Sequence, residues 1–548
     1  MTERGRRHAV PDRIRPRAPR RAFVLLAFAV GCGPASGIPG NGLGVRHAYW
    51  RADDRVLVSE FRELGAVATD RRFVYAGGSN GVVVYDHRFQ RWQPPLTLED
   101  GFPRSDPPIA LEVDEFTGIL WMVTRTGALW AHHVSTSGEW RWIGVLPGGP
   151  PVRLTTHDGS LWALTSSGWF ESAAGGAPPA RRTAPAAVRD RTLTGLQRLE
   201  RESAAFRSAG SSLTVDEYLR RYEITGAAPS PDPTEWWLAT WGGGLYAYDD
   251  RMLEALPVRF GTVGRGVSAV AVVPDGGGFW FGGDGMSRRR GLAYADRDLQ
   301  RWNWHEAGPE GAPAGPVHAV AQDEVGVFVG AQDGLYRLSG DRWDRLTDLD
   351  ALPSTTVRAL ARSNDALWAG TDRGLVRVTV ASDGGLAALR IDGTGGTRIN
   401  ALAAVDSILW LATDRGLWRL NTTTGALAQP PVQDARLRGR VIGVAYDGGI
   451  LYALATSALL AYDGATWSAP FVGASFEGIG RPTHLAVRDD VVWIAGAAGA
   501  LAIDPISGAE SLLSVPRDIP EGPVRQVLPV EGGVWFATPA GALLIRLE

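Results

Sequence analysis

Val357–Val378 reads VRALARSNDALWAGTDRGLVRV. Val357–Arg362 alternates, Leu367–Thr371 is apolar and aromatic, and Gly374–Val378 alternates again, with Ser-Asn-Asp and Asp-Arg-Gly between them. This is the pattern of three short antiparallel strands joined by tight turns. A fourth, more variable strand is expected around Leu386–Ile391. The aromatic of the second strand recurs at Tyr75, Trp121, Trp162, Trp237, Trp280, Phe328, Trp368, Trp410, Tyr452, Trp493 and Trp535. Successive spacings are 46, 41, 75, 43, 48, 40, 42, 42, 41 and 42 residues. A glycine opening the third strand keeps phase with it: Gly81, Gly127, Gly168, Gly244, Gly291, Gly334, Gly374, Gly416, Gly499 and Gly541, with Ala458 in the ninth copy.

A lone four-stranded meander has two faces and cannot bury both. Stacking such sheets around an axis buries each face on a neighbour and leaves only short edges, which is a β-propeller. The in-phase aromatics are then wedges between blades, and the glycines supply φ > 0 at the hairpins. The expectation is an all-β chain of about eleven four-stranded units of ~42 residues. Eleven blades exceed the usual four to eight, so two rings are expected, seven plus four or six plus five.

Leu367-Trp-Ala-Gly-Thr-Asp-Arg-Gly-Leu375, Leu409-Trp-Leu-Ala-Thr-Asp-Arg-Gly-Leu417 and Trp237-Leu-Ala-Thr-Trp-Gly-Gly-Gly-Leu245 resemble the two-component regulator propeller repeat. That resemblance covers roughly residues 47–548. It implies a periplasmic sensor-type propeller, without the kinase, receiver or DNA-binding regions that accompany it in hybrid histidine kinases.

The chain ends in the third strand of its last unit, Gly541–Leu547, so the missing fourth strand must come from elsewhere; Ala48–Phe61 is strand-like and a candidate. Such closure would join the two chain ends in one ring and place the other ring within it as an insertion. Blades 1–3 are expected over 47–185 and blades 4–11 over 223–548, separated by a helical insertion at 186–222. Within it, Asp190–Arg207 carries Leu196, Leu199, Ser203 and Phe206 on one helical face, and Thr214-Val-Asp-Glu217 is a capping-box signature for a second short helix. The insertion reads as a lid or docking element, or as a packed elaboration.

Of 548 residues, 45% are apolar and 21% charged, which describes a globular chain. No lysine occurs, so all 56 basic residues are arginine. A single cysteine excludes a disulfide framework and cysteine-ligated clusters. Eight arginines lie in the first 31 residues against Glu3 and Asp12; the remainder has 48 arginines and 57 acids, a net charge of −9. An acidic chain is poorly suited to phosphate-backbone binding, so no nucleic-acid partner is expected. The basic start, the apolar run Ala22–Val30 and then Ala29-Val30-Gly31-Cys32 read as a signal peptide (1–31) resembling a bacterial lipobox. Cys32 would carry the lipid, and 32–46 would be a flexible tether. Arg20-Arg21 also resembles a twin-arginine export motif, and Gly33 after the cysteine favours the outer membrane. The alternative is an ordinary cleaved signal with an incidental cysteine.

Residues that could carry chemistry are sparse. His132 and His133 are adjacent in a strand and point to opposite faces, so they cannot share a metal. No metal site, no phosphate-cradling loop and no cofactor motif is expected. The polar loops between second and third strands carry Asp333, Asp372-Arg373, Asp414-Arg415 and Arg125, which successive blades would gather on one rim. The longer loop Asp284–Arg290 ends in Arg288, Arg289 and Arg290, a candidate clamp for an anionic partner. These residues also suit ordinary turns and solvated rims. The function read from the sequence is a lipid-anchored cell-envelope protein binding a protein or glycan as a non-catalytic sensor or scaffold. The rival is a propeller enzyme, a lyase or glycosidase using channel carboxylates.

Overall fold

The computed structural model describes residues 55–548 apart from 135–137, 174–176, 192, 309, 348–350, 364–365, 382–384, 431–433, 473–475 and 548. The expected signal, Cys32 and the tether lie outside the described residues. The described chain forms eleven four-stranded antiparallel sheets. Numbered as blades in chain order, they span 64–96, 108–145, 153–181, 223–258, 267–306, 317–346, 357–390, 399–428, 441–472, 482–514 and 526–546. In ten blades the four strands are consecutive; blade 11 takes Arg55–Val58 as its outermost strand. Val56 stands opposite Leu544 and Val58 opposite Ala542.

All eleven marker aromatics are buried, from Trp121 at 0% exposed to Trp493 at 8%. Removing such a ring costs about 3–5 kcal/mol, which explains why the position repeats. The hairpin glycines have positive φ, and Gly541 (φ 138°) shows a second reason for the residue. A methyl there would run into the carbonyl oxygen of Val58, so this glycine makes room for the closing strand.

The inner strands of blades 5 to 11 pack each on the next, and that of blade 11 packs back on blade 5. Across this closure Val270 N donates to Gln526 Oε1 at 2.5 Å. Blades 5–11 are therefore a seven-bladed ring. Blades 4, 1, 2 and 3 pack in that order as an arc of four, inserted after the strand Arg55–Val58. The partition is seven plus four.

Between blades 3 and 4 lie three helices, α1 (Ala186–Arg189), α2 (Gly195–Glu202) and α3 (Ala204–Ala209). Thr194 and Gln197 form a capping box that starts α2. Leu199 and Phe206 bury their side chains against Tyr222, Trp236 and Tyr248 of blade 4 and its approach, and Val188 packs on Trp162 of blade 3. The second helix expected at Thr214 does not form. Val215 instead bridges Arg221, and Leu219 at φ 61° turns the chain. The Asp216 carboxylate accepts from the backbone N–H of Tyr218 and Arg220 within the turn, competing successfully with the helix.

Arc and ring share a continuous apolar core. Rings follow one another at centroid distances of 4.8 Å (Trp92–Phe260), 5.3 Å (Phe260–Trp302), 5.6 Å (Trp302–Phe281) and 5.1 Å (Phe281–Trp535). A buried ion cluster locks the same junction. Arg62, 1% exposed, donates to Glu306 at 2.6 Å and to the Val263 carbonyl at 2.8 Å. Arg220 binds both oxygens of Glu306 at 2.8 and 3.0 Å, and Arg289 adds a contact at 3.3 Å. Burial alone would raise the Glu306 pKa, but the bonds and charges of Arg220, Arg62 and Arg289 hold it down to about 2.

Candidate functional site

The inner strands position polar side chains by one repeated irregularity. In nine of the eleven blades the register between inner and second strand slips at the second inner-strand residue, a β-bulge. In the ring this residue is Ser268, His318, Arg358, Asn400, Ile442 or Thr483, and Arg525 follows Val524 at the matching place in blade 11. Where the residue is small and polar it fastens the next blade. Ser268 Oγ donates to Val317 O (2.6 Å), Asn400 Nδ2 to Val441 O (2.8 Å), Thr483 Oγ1 to Val524 O (2.6 Å) and, in the arc, Thr225 Oγ1 to Leu64 O (2.7 Å).

Where the residue is larger and charged it meets the loop between second and third strands. Arg358 forms a two-pronged pair with Asp372, its Nη2 at 3.2 Å from Oδ2. Arg525 lies 3.0 Å from Asp284 of blade 5. Arg398 and Arg440, just ahead of the next inner strands, approach Asp372 at 3.4 Å and Asp414 at 3.5 Å, and Asn400 donates to Asp414 at 3.0 Å. Burial would raise the Asp372 pKa, but the hydrogen bond and charge of Arg358, with Arg398, hold it below the ordinary range. Burial and the charges of Arg358, Arg398 and Arg525 push half-buried His318 down to about 4, so it is neutral at physiological pH. Four arginines, three carboxylates and one neutral imidazole thus line one end of the ring.

The positive balance grows outward over blades 7–9. The loops 371–374, 391–399, 413–416 and 434–441 carry Arg373, Arg398, Arg415, Arg436, Arg438 and Arg440 against Asp372, Asp392, Asp414 and Asp434. With Arg358 this is seven cations to four anions, on a chain that is otherwise acidic. Such a face concentrates anionic groups, and guanidinium forks bind carboxylate, phosphate or sulfate in two-point fashion.

The sequence-derived residues fall into two sets. Asp372 and Asp414 turn toward the mouth and hold its arginines, while Arg373 and Arg415 beside them are exposed. Arg289 is engaged inside the junction by Glu306 and Tyr222, whereas Arg288 and Arg290 are exposed. Asp333 accepts from the Tyr336 hydroxyl at 2.7 Å, and Arg125 is exposed. His132 is buried beside Trp140 and His133 is exposed, on opposite faces as expected. Sequence reasoning missed Arg358, Arg398, Arg440, Arg525 and His318. For His318, Arg358 and Arg525 the signal was the residue after the first buried valine of the unit, as in Val317-His318-Ala319 and Val357-Arg358-Ala359; Arg398 and Arg440 stand one residue before the inner strand instead. Among the described residues no group of three or more His, Cys, Asp or Glu is disposed for a metal, and no helix is long and apolar enough to cross a membrane.

No protein-family model and no curated protein matches the chain. Solved structures do. PorZ of Porphyromonas gingivalis, a bacterial surface component of the type-IX secretion system, is 13% identical at a TM-score of 0.44, over 88% of this chain and 74% of PorZ. The extracellular domain of BT4673 from B. thetaiotaomicron, described as a one-component or hybrid two-component system protein, is 15% identical at a TM-score of 0.35, over 92% of this chain and 77% of that one. Virginiamycin B lyase from Staphylococcus aureus is 13% identical at a TM-score of 0.41, over 52% of this chain and 96% of the lyase. These are likenesses of architecture.

Proposed function

We propose that this chain is a non-catalytic recognition module of the bacterial cell envelope, and that the loop face of its seven-bladed ring grips anionic groups of a protein or glycan partner. The observation that carries this reading is the set of arginines at the mouth, Arg358, Arg398, Arg440 and Arg525, each held by a carboxylate of the ring. Asp372 and Asp414 orient these cations, with Arg373 and Arg415 beside them, and Arg288 and Arg290 extend the same face on blade 5. Preorganised cations lose little freedom on binding, so affinity is gained without motion of the scaffold.

Asp284, Asp372 and Asp414 are each paired with arginine. Such carboxylates orient cations, and Asp372, held below the ordinary range by Arg358 and Arg398, is a poor proton donor, which favours binding over acid catalysis. Placement in the envelope rests on the arginine-rich start, the apolar run Ala22–Val30 and Cys32, which together propose export and a lipid anchor in the membrane. A sensor role, reporting ligand to a separate signalling protein, fits the same face.

The test is a crosslinking pull-down from intact envelopes with wild type and the triple variant R358A/R398A/R440A. The wild type is expected to capture a partner that the variant loses, with capture falling as salt rises. An identical capture profile from both proteins contradicts the reading.

A further inference from the structure

A cleft of about 380 Å³ opens where arc and ring meet, lined by none of the four mouth arginines. One wall is the connection between blades 1 and 2, with Leu98, Phe102, Pro103 and Arg104; the other belongs to the ring, with Leu57, Ala540, Arg265 and Glu521. Its floor is apolar and fixed: Leu57, Phe102 and Ala540 are 2%, 4% and 3% exposed. The connection is held in shape without filling the cleft. Thr97 and Asp100 form a capping box, Asp100 O accepts from Trp140 N at 2.7 Å, and Phe102 stands edge-on to Trp140 at 6.1 Å.

The charges at the rim are unequal. Arg265 and Glu521 satisfy each other at 2.7 Å. Arg104 is exposed and donates to a neutral group, the Pro520 carbonyl, at 2.7 Å. A guanidinium has five N–H donors, so the fork retains the capacity to take a carboxylate at two points. A volume of this size, with apolar residues at its base, Ser79, Asn80 and Ser105 at its rim and Arg104 outside the Arg265–Glu521 pair, is the form of a small-molecule site.

We propose that this cleft binds a small carboxylate with a short apolar body, the carboxylate on Arg104 and the body against Phe102, Leu98 and Leu57. The site uses none of the arginines on which the loop-face reading rests. Because its walls come from both arc and ring, an occupant stabilises their junction as well as itself.

The test uses octanoate as probe, with 1-octanol and octylamine as matched controls, by calorimetry and thermal shift on the folded chain. Wild type is expected to bind octanoate saturably, at least about tenfold more tightly than either control. R104A should lose about tenfold or more in octanoate affinity. S79W, which fills the cleft from a turn outside the core, should abolish binding while circular dichroism remains unchanged. R398A, at the mouth, should bind octanoate as wild type does. Absence of saturable binding to wild type, equal affinity for the three probes, or unaltered octanoate binding by folded S79W overturns the proposal.

Discussion

The ring and the arc are made of the same repeat but are closed by different means. Blades 5–11 close on themselves: inner strands meet all the way round, and the strand Arg55–Val58 completes the last sheet by hydrogen bonding to Gly541–Arg546. Blades 4, 1, 2 and 3 have no such strand. The inner strands of blades 3 and 4 do not pack on each other as the other neighbours do, and α1, α2 and α3 occupy the interval. The outermost strand of blade 3 is just Ala180–Arg181, both exposed. Covalent order explains the contrast. Bringing the two ends of the described chain together costs the ring loop-closure entropy, which a full strand pairing offsets, whereas the arc is held by side-chain packing on an insertion and by its junction with the ring. A repeat therefore sets the blade, and the closing element sets how cooperative the array is.

The comparison makes graded predictions. The largest effect should come from Leu57→Asp, which buries a charge in the closing strand among Val527, Phe536 and Leu543. It should cost about 4 kcal/mol or more in urea unfolding, while Ala180→Asp on the exposed outer strand of blade 3 should stay within about 0.5 kcal/mol. Equal costs would remove the distinction between the two closures.

Next is the junction. Glu306→Gln takes the nearer counter-charge from buried Arg62, leaving Glu60 at 3.7 Å, and should cost about 3 kcal/mol at pH 7. Glu306 is depressed from 4.5 to about 2, so its stabilisation is complete above about pH 4.5 and is lost as pH falls toward 2. The wild type should therefore lose about 3 kcal/mol over that acid window, and the variant should lose that much less. Parallel acid titrations of wild type and variant would contradict the assignment.

Within the arc the sign reverses. Burial pushes Glu112 up to about 7, with the Thr156 backbone bond and Arg191 offsetting part of the rise and Asp114 adding to it. A raised acid stabilises fully below its ordinary value of 4.5 and loses that contribution as pH rises through 7. Glu112→Gln should accordingly stabilise the arc by up to about 3 kcal/mol at pH 8 and by almost nothing at pH 4, read by thermal unfolding at both. The smallest effect should be Ser268→Ala or Thr225→Ala, each removing one fastening between blades at about 1 kcal/mol. A T225A cost well above that of S268A would show the arc leaning more heavily on these bonds than the ring does.

Much of this architecture was legible because its determinants are local and repeated. Trp368 and Gly374 mark a wedge and a hairpin in one short stretch, and ten further copies confirm the phase. The closing strand was legible too, since Ala48–Phe61 is strand-like and the last unit shows three strands. The partition into seven and four was not, because it depends on which inner strands meet across the closures. Thr214-Val-Asp-Glu217 misled for a physical reason: Asp216, inside the capping-box pattern, accepts from the Tyr218 and Arg220 amides and binds the Arg220 and Tyr222 side chains, which closes a turn in place of the helix. At the candidate site, Asp372 and Asp414 were visible as turn residues. Their partners were not: a bulge places Arg358 where strict alternation does not, and Arg398 and Arg440 lie in the connections just ahead of the inner strands Ile399–Val405 and Val441–Asp447, where no strand pattern marks them.

The claim on which the rest depends is that one ring is sealed by its first strand while the arc is sealed by an insertion. Hydrogen–deuterium exchange of the whole chain, resolved by peptide, tests it directly. Amides of Arg55–Val58 and Gly541–Arg546 should exchange as slowly as the inner strands of blades 7–9, and those of 153–181 should exchange earliest among the blades. Early exchange at the paired ends, or protection of blade 3 equal to that of blades 7–9, would contradict the account.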